Sequence, residues 1–233
     1  HLSDKKPAQL VLGQGPMWIA WSPDSKSLLA HRRFDHFLID RINTMEVHDL
    51  DISYGGYRAP AWHPLDNSIT VAMEENDEVL KLFSIEVIDR NRVGSTRGLM
   101  ETSPVPIFLW SPDGTILAVS SSARLLPYED VELLVSRKLT LLREDDASIP
   151  YLIEDNIIAY FWSPARSTIA YVLASAPPGV LRGMLLDVRQ GVSRLLADFI
   201  PSREQLTVLQ FFDRSLRGRP RCVVPVSYTH LRA

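Results

Sequence analysis

A chain of 233 residues has room for one large all-β domain or two small ones, and a 45% apolar content is enough for a sizeable core. A formal net charge of −3 argues against the basic excess of a nucleic-acid-binding domain, and no apolar run approaches the roughly 20 residues of a membrane-spanning helix. The chain opens on His1 with no apolar leader, which leaves its compartment open between a periplasmic or other extracytoplasmic location and the cytoplasm.

In chain order, Gln9-Leu10-Val11-Leu12 reads as an outer strand, closed by a turn at Gly13–Pro16. Met17–Ala20 then enters Trp21-Ser22-Pro23-Asp24-Ser25, and Leu28-Leu29-Ala30 leaves it. The same arrangement returns as Ala59–Ala61, Trp62-His63-Pro64-Leu65-Asp66-Asn67 and Ile69–Ala72. Its fullest form is Ile107–Leu109, Trp110-Ser111-Pro112-Asp113-Gly114 and Ile116–Val119. A fourth copy runs through Ile157–Phe161, Trp162-Ser163-Pro164-Ala165 and Ile169–Val172. The tryptophans are 41, 48 and 52 residues apart, a period that marks a repeat architecture.

Ser-Pro-Asp-Gly suits a type I turn: Pro sets φ at the second position, Asp bonds the backbone locally, and Gly relieves the exit. The flanking runs are too short for stable helices and rich enough in Ile, Val, Leu and aromatics for buried strands. Each unit is therefore a strand, a tight turn and a strand. Its tryptophan closes the incoming strand and is expected to pack between neighbouring sheets, removing roughly 150–250 Å² from water. Further strand-like runs follow each hairpin: Phe37–Ile39 and Glu46–Leu50, Val79–Phe83 and Ile85–Ile88, Val131–Val135 and Leu139–Leu142, Arg182–Val188 and Ser193–Leu196. Four short strands per unit is the content of one propeller blade.

These stretches resemble the WD40-like PD40 repeats of TolB-type β-propellers, which also occur in the propellers of prolyl-oligopeptidase-type serine peptidases. The motif is fullest at Trp110–Gly114 and Trp21–Asp24. It departs at His63 and Leu65 in the second copy and at Ala165 in the fourth. The resemblance implies an all-β, incomplete β-propeller of about four four-stranded antiparallel blades. The blades are placed at 17–57, 58–105, 106–156 and 157–208 of a domain spanning 1–213, with 1–16 and 209–213 as pieces of flanking blades. Leu209-Gln210-Phe211-Phe212 reads as the start of a further strand. An open arc exposes its end sheets, so remaining blades of a longer parent chain are expected, about six to eight in all, and the arc alone is expected to aggregate. Residues 214–233 carry five arginines and no acid, whereas 1–213 carries 20 Lys+Arg against 28 Asp+Glu. This tail resembles an adapter-derived translation and is expected to be non-native or disordered. It also holds Cys222 and the AT-hook-like Arg217–Arg221, which are set aside with it.

No Gly-x-Ser-x-Gly elbow is present and no catalytic residue is assigned. His31, Asp35 and His36 could bind zinc in principle, but Arg32 and Arg33 repel a dication and a solvated loop is the favoured reading. Glu74, Glu75, Asp77 and Glu78 could offer calcium oxygens, yet they lack the spacing and glycine of a calcium loop, so a solvated hairpin tip is favoured. Ser120–Arg124 continuing to Asp130, and Ala174–Gly179, read as loop insertions at equivalent places in blades three and four. The structural motif residues are Trp21, Pro23, Asp24, Trp62, Pro64, Asp66, Trp110, Pro112, Asp113, Gly114, Trp162 and Pro164.

The resulting expectation is a non-catalytic binding or scaffold module of TolB/PD40 type, with no cofactor and no metal. It would contact protein or a small ligand on a propeller face, with no nucleic acid and no membrane span. The alternative is the substrate-gating propeller of a prolyl-oligopeptidase or dipeptidyl-peptidase-type serine peptidase whose catalytic domain lies elsewhere in the parent.

Overall fold

The computed structural model describes residues 18–32, 35–40, 47–53, 60–75, 79–89, 92–102, 106–128, 131–143, 151–174 and 179–202. The readings at 1–16, 209–213 and 214–233 lie outside them. Among the described residues every regular element is a strand, and every strand pairing is antiparallel.

Blade one is β1 (Trp18–Trp21), β2 (Ser27–Arg32), β3 (Asp35–Asp40) and β4 (Val47–Ser53), paired in chain order. Blade two repeats that meander with β5 (Ala61–Trp62), β6 (Ser68–Glu75), β7 (Val79–Asp89) and β8 (Arg92–Thr102). Blade three begins with β9 (Ile107–Trp110), β10 (Ile116–Tyr128) and β11 (Val131–Arg143). Then β12 (Tyr151–Trp162) serves two blades, followed by β13 (Thr168–Ala174), β14 (Leu181–Asp187) and β15 (Val192–Phe199). The first part of β12 pairs with β11 through Leu152↔Thr140 and Ile153↔Leu139, and the second pairs with β13 through Tyr160↔Tyr171 and Trp162↔Ile169. Blades three and four are thus one seven-stranded sheet, and the expected boundary between Asn156 and Ile157 falls inside a strand.

The core lies between sheets, as alternation along each strand requires. Leu29, Leu38 and Leu50 of blade one meet Trp62, Ile69, Val71, Met73 and Ile85 of blade two. Ala72 and Leu82 turn to the other side, against Phe108, Leu117 and Val119 of blade three. Ile116, Leu139 and Leu141 in turn face Tyr160, Ile169, Tyr171 and Leu186 of blade four. Face-to-face stacking in sequence order, with β1, β5 and β9 adjacent in turn, is the propeller arrangement.

The tryptophans stitch this stack together. The indoles of Trp62, Trp110 and Trp162 each close the first strand of their blade and donate the N–H backwards to the blade before. Trp62 bonds the Ala20 carbonyl at 3.2 Å, Trp110 the Thr70 hydroxyl at 2.9 Å, and Trp162 the Leu109 carbonyl at 3.1 Å. Tyr160 adds a phenol placed 2.8 Å from the Ile107 carbonyl and 2.9 Å from that of Ala118; burial pushes its pKa far above the ordinary value, so it stays a donor. Trp62 is 9% exposed, whereas Trp21, first in the series, is 45% exposed and differs from the expected buried indole.

Three segmental readings change. Val79–Phe83 and Ile85–Ile88 are one strand, β7, and the fourth strand of blade two is β8, which carries no apolar pattern. Val131–Val135 and Leu139–Leu142 are likewise one strand, β11. The expected polar insertion after Val119 is strand too, because β10 continues to Tyr128 and pairs with β11 along its length, burying Ser120 and Ser121.

Candidate functional site

The four motif turns join the first two strands of each blade and so occupy corresponding ends of successive sheets. In turn one the Ser22 N–H and the Ser27 carbonyl close the hairpin at 2.9 Å. Inside it, the Ser22 hydroxyl donates to Asp24 Oδ1 at 2.7 Å and accepts from the Ser27 N–H at 2.9 Å, while the Lys26 N–H reaches the same Asp24 oxygen at 3.0 Å. Turn three repeats the set: Ser111 donates to Asp113 at 2.6 Å, the Ile116 N–H bonds Ser111 Oγ at 3.0 Å, and the Thr115 hydroxyl adds a bond to Asp113 at 2.9 Å. The fifth motif residue is left-handed in both, with φ +59° at Ser25 and +70° at Gly114. The Ser hydroxyl, joined by backbone N–H donors, pulls the Asp24 and Asp113 carboxyls below their ordinary pKa of 3.8.

Turn two solves the same problem with an imidazole. His63 Nδ1 lies 3.4 Å from the Leu65 N–H and 3.2 Å from that of Asp66, while the Asp66 carboxylate accepts from the Ser68 N–H at 2.8 Å. The other ring nitrogen, Nε2, sits 2.9 Å from the Gly114 carbonyl, and the ring stands edge-on to Trp110 at 4.5 Å. His63 is buried and ties the turn of blade two to that of blade three. Turn four keeps the Ser163–Thr168 closure at 2.9 Å, but Ala165 has no carboxylate to offer. Pro23, Asp24, Leu65, Asp66, Pro112, Asp113, Pro164 and Ala165 are all exposed on this face, Leu65 to 72%, and Pro64 is half-buried. Nearby, Arg97, Leu99, Trp110, Leu117 and Arg143 line a cleft of about 100 Å³ between blades two and three.

The other candidates sit elsewhere. His31 and His36 are not in a solvated loop: they end β2 and β3 as cross-strand partners, 2% and 3% exposed, with rings stacked at 4.2 Å and 6°. Their segment was read as a connection because its charged residues look solvated, but the pairing of Arg32 with Asp35 carries the strands almost to the tip. Among the described residues no group of three or more His, Cys, Asp or Glu side chains is arranged to hold a metal ion. Glu74 and Glu75 close β6 opposite Leu80 and Val79, and Asp77 and Glu78 lie outside the described residues. The motif turns therefore share corresponding ends of the sheets, and His31, His36, Glu74 and Glu75 are not brought to them. The cross-blade role of His63 was missed; its only signal was the replacement of Ser by His in an otherwise repeated position.

No protein-family model and no curated protein matches the chain. Solved structures do. TolB from Acinetobacter baumannii aligns with 15% identity and a TM-score of 0.55 over 78% of this chain and 43% of its own. An oligogalacturonate lyase in complex with manganese aligns with 13% identity and a TM-score of 0.59 over 79% and 53%. The Cps50 (Swd1) β-propeller domain of Myceliophteria thermophila gives 10% and 0.53 over 79% and 58%. The chain spans about half the length of these proteins. Stacked meanders, backward-bonding indoles and these neighbours together make the fold that of a β-propeller.

Proposed function

We propose that the chain acts as a non-catalytic binding module and that the face carrying the motif turns is its recognition surface. The observation that carries this reading is the bond between His63 and the Gly114 carbonyl, which fixes two turns relative to each other while Leu65 stands 72% exposed between them. A preformed, rigid surface loses little entropy on binding, and binding residues concentrate on loops held by such a scaffold. The face offers apolar Leu65 and prolines beside carboxylates that stay ionised, a combination that suits a protein or small ligand with apolar and cationic groups.

The test is affinity capture and calorimetric titration with the purified chain, its Leu65→Glu variant and a control, Arg137→Glu, at an exposed position of β11. The expected result is a partner whose binding weakens at least tenfold in Leu65→Glu and not in the control, with both variants melting as the parent does. Equal binding by both variants would contradict the turn face. Turnover of peptidyl-prolyl or oligogalacturonide substrates by the purified chain would contradict the absence of catalysis.

A further inference from the structure

The cleft between blades two and three is built differently from the turn face. On blade three, Trp110, Leu117 and Leu142 form one row across β9, β10 and β11, in register with one another. Leu117 and Leu142 are buried and Trp110 is half-buried. The indole N–H is already spent on the Thr70 hydroxyl, so the ring offers the cleft an apolar surface. Blade two contributes three consecutive residues of β8, Arg97, Gly98 and Leu99. The β8 register slips here: Phe83 is opposite Gly98 and Leu82 opposite Met100, which leaves Leu99 as the extra residue of a bulge. Bulges re-aim side chains and are over-represented next to active sites.

Gly98 gives a second, separate sign. Its φ lies outside the left-handed range, and a Cβ built on it would meet only the Phe83 ring, at an ordinary 3.7 Å. Neither backbone nor packing demands a glycine there. A glycine inside a strand weakens it and often marks a place where a ligand approaches the backbone closely. The lining also holds two exposed arginines, Arg97 and Arg143, and no acidic residue. The geometry points to a binding site for a small carboxylate that carries a branched alkyl group. The alkyl group enters between Leu99, Trp110, Leu117 and Leu142, and the carboxylate is held by Arg97 and Arg143, whose guanidinium forks match its two oxygens. Size limits the guest. A cavity of roughly 150 Å³ holds a benzene-sized body, so a cleft of about 100 Å³ takes a smaller one, about four carbons. Two sources present that chemistry: a free short-chain acid and the C-terminal leucine of a peptide. The turn face favours cationic groups, so this inference goes beyond that reading and stands without it. Leu65, Asp24 and Asp113 are not in the cleft lining, and the two readings fail separately.

Nuclear magnetic resonance titration of the isotope-labelled full chain tests it, with isovalerate and acetyl-Gly-Gly-Leu as probes and their uncharged amides as controls. At least one acid should shift the Trp110 indole N–H and the Arg97–Leu99 amides saturably, and its amide should bind at least tenfold more weakly. The tighter of the two acids names the source. Gly98→Val, which fills the cleft with a good strand former, should abolish the shifts while the Trp62 and Trp162 indole signals stay in place. Arg143→Gln should weaken binding at least fivefold. Arg137→Gln, the same loss of charge at an exposed position of β11 outside the lining, should not. No saturable shift with either acid in the parent overturns the inference, a result that needs no variant to fold. Amides that bind as well as the acids overturn it, as does binding that survives in folded Gly98→Val. Equal weakening by Arg137→Gln and Arg143→Gln, the mark of general surface charge, also overturns it.

Discussion

Turns one and three carry the same internal bonding and the same left-handed residue, yet they are not equivalent. In turn one the left-handed position holds Ser25, so an ordinary L-residue tolerates that backbone. In turn three the position is Gly114, and a Cβ there would lie 2.7 Å from His63 Cε1 and 2.9 Å from Nε2. The glycine answers to the neighbouring blade as much as to its own φ. The Ser-Pro-Asp bonds build a turn locally, while the residues around them decide how blades are coupled.

The largest effect should separate the tryptophans that open these turns. Trp110→Ala is expected to lose about 3 kcal/mol and Trp21→Ala under about 1 kcal/mol in denaturant unfolding, because Trp110 packs into the core between blades two and three and bonds Thr70, whereas Trp21 is 45% exposed. Equal losses would break the distinction. Next, Gly114→Ala should cost about 2 kcal/mol, roughly half from the left-handed backbone and half from displacing His63. In a His63→Ala background the second part should vanish, a coupling of about 1 kcal/mol in a double-mutant cycle.

A smaller effect is pH-dependent. The Asp113 carboxyl is held below 3.8 by the Ser111 hydroxyl, so folding favours its ionised form. The stability it adds is complete above the ordinary carboxylate value and is lost as pH falls through the lowered folded value. Asp113→Asn should flatten that acid limb, read as thermal midpoint against pH; a limb of unchanged steepness would show that the Ser111 bond does not hold in solution. Asp24 obeys the same sign with more solvent around it, so its substitution should flatten the limb less. Smallest of all, Ser25→Gly should stabilise by a few tenths of a kcal/mol, relief of the left-handed cost being largely offset by the freer unfolded chain.

The inner hairpins were legible because proline, aspartate and a flanking tryptophan state the turn chemistry within a few residues. Outer strands were not. β8 reads Arg-Val-Gly-Ser-Thr-Arg-Gly-Leu-Met-Glu-Thr, and its strand character comes from pairing with β7, where Gly98 lies over the Phe83 ring. The serines of β10 look like a loop until β11 supplies their partners; that long-range pairing is absent from local sequence. Burial of His31 and His36 was hidden for a related reason: a run with Arg32, Arg33 and Asp35 reads as a solvated connection, and the sequence does not say how far the pairing runs. For the candidate site, the turn positions could be read, but the link from His63 to Gly114 joins residues 51 apart and needed the fold.

Strand β12 has a mechanical consequence. Among the described residues, blades one and two share no strand, and neither do blades two and three. Between the last two, load passes along a single hydrogen-bonded backbone, because Ile157 is in register with both Ser136 and Leu173. Pulling or heating should therefore open those two blades in a single step, giving this half of the arc one melting event where the other half has room for two.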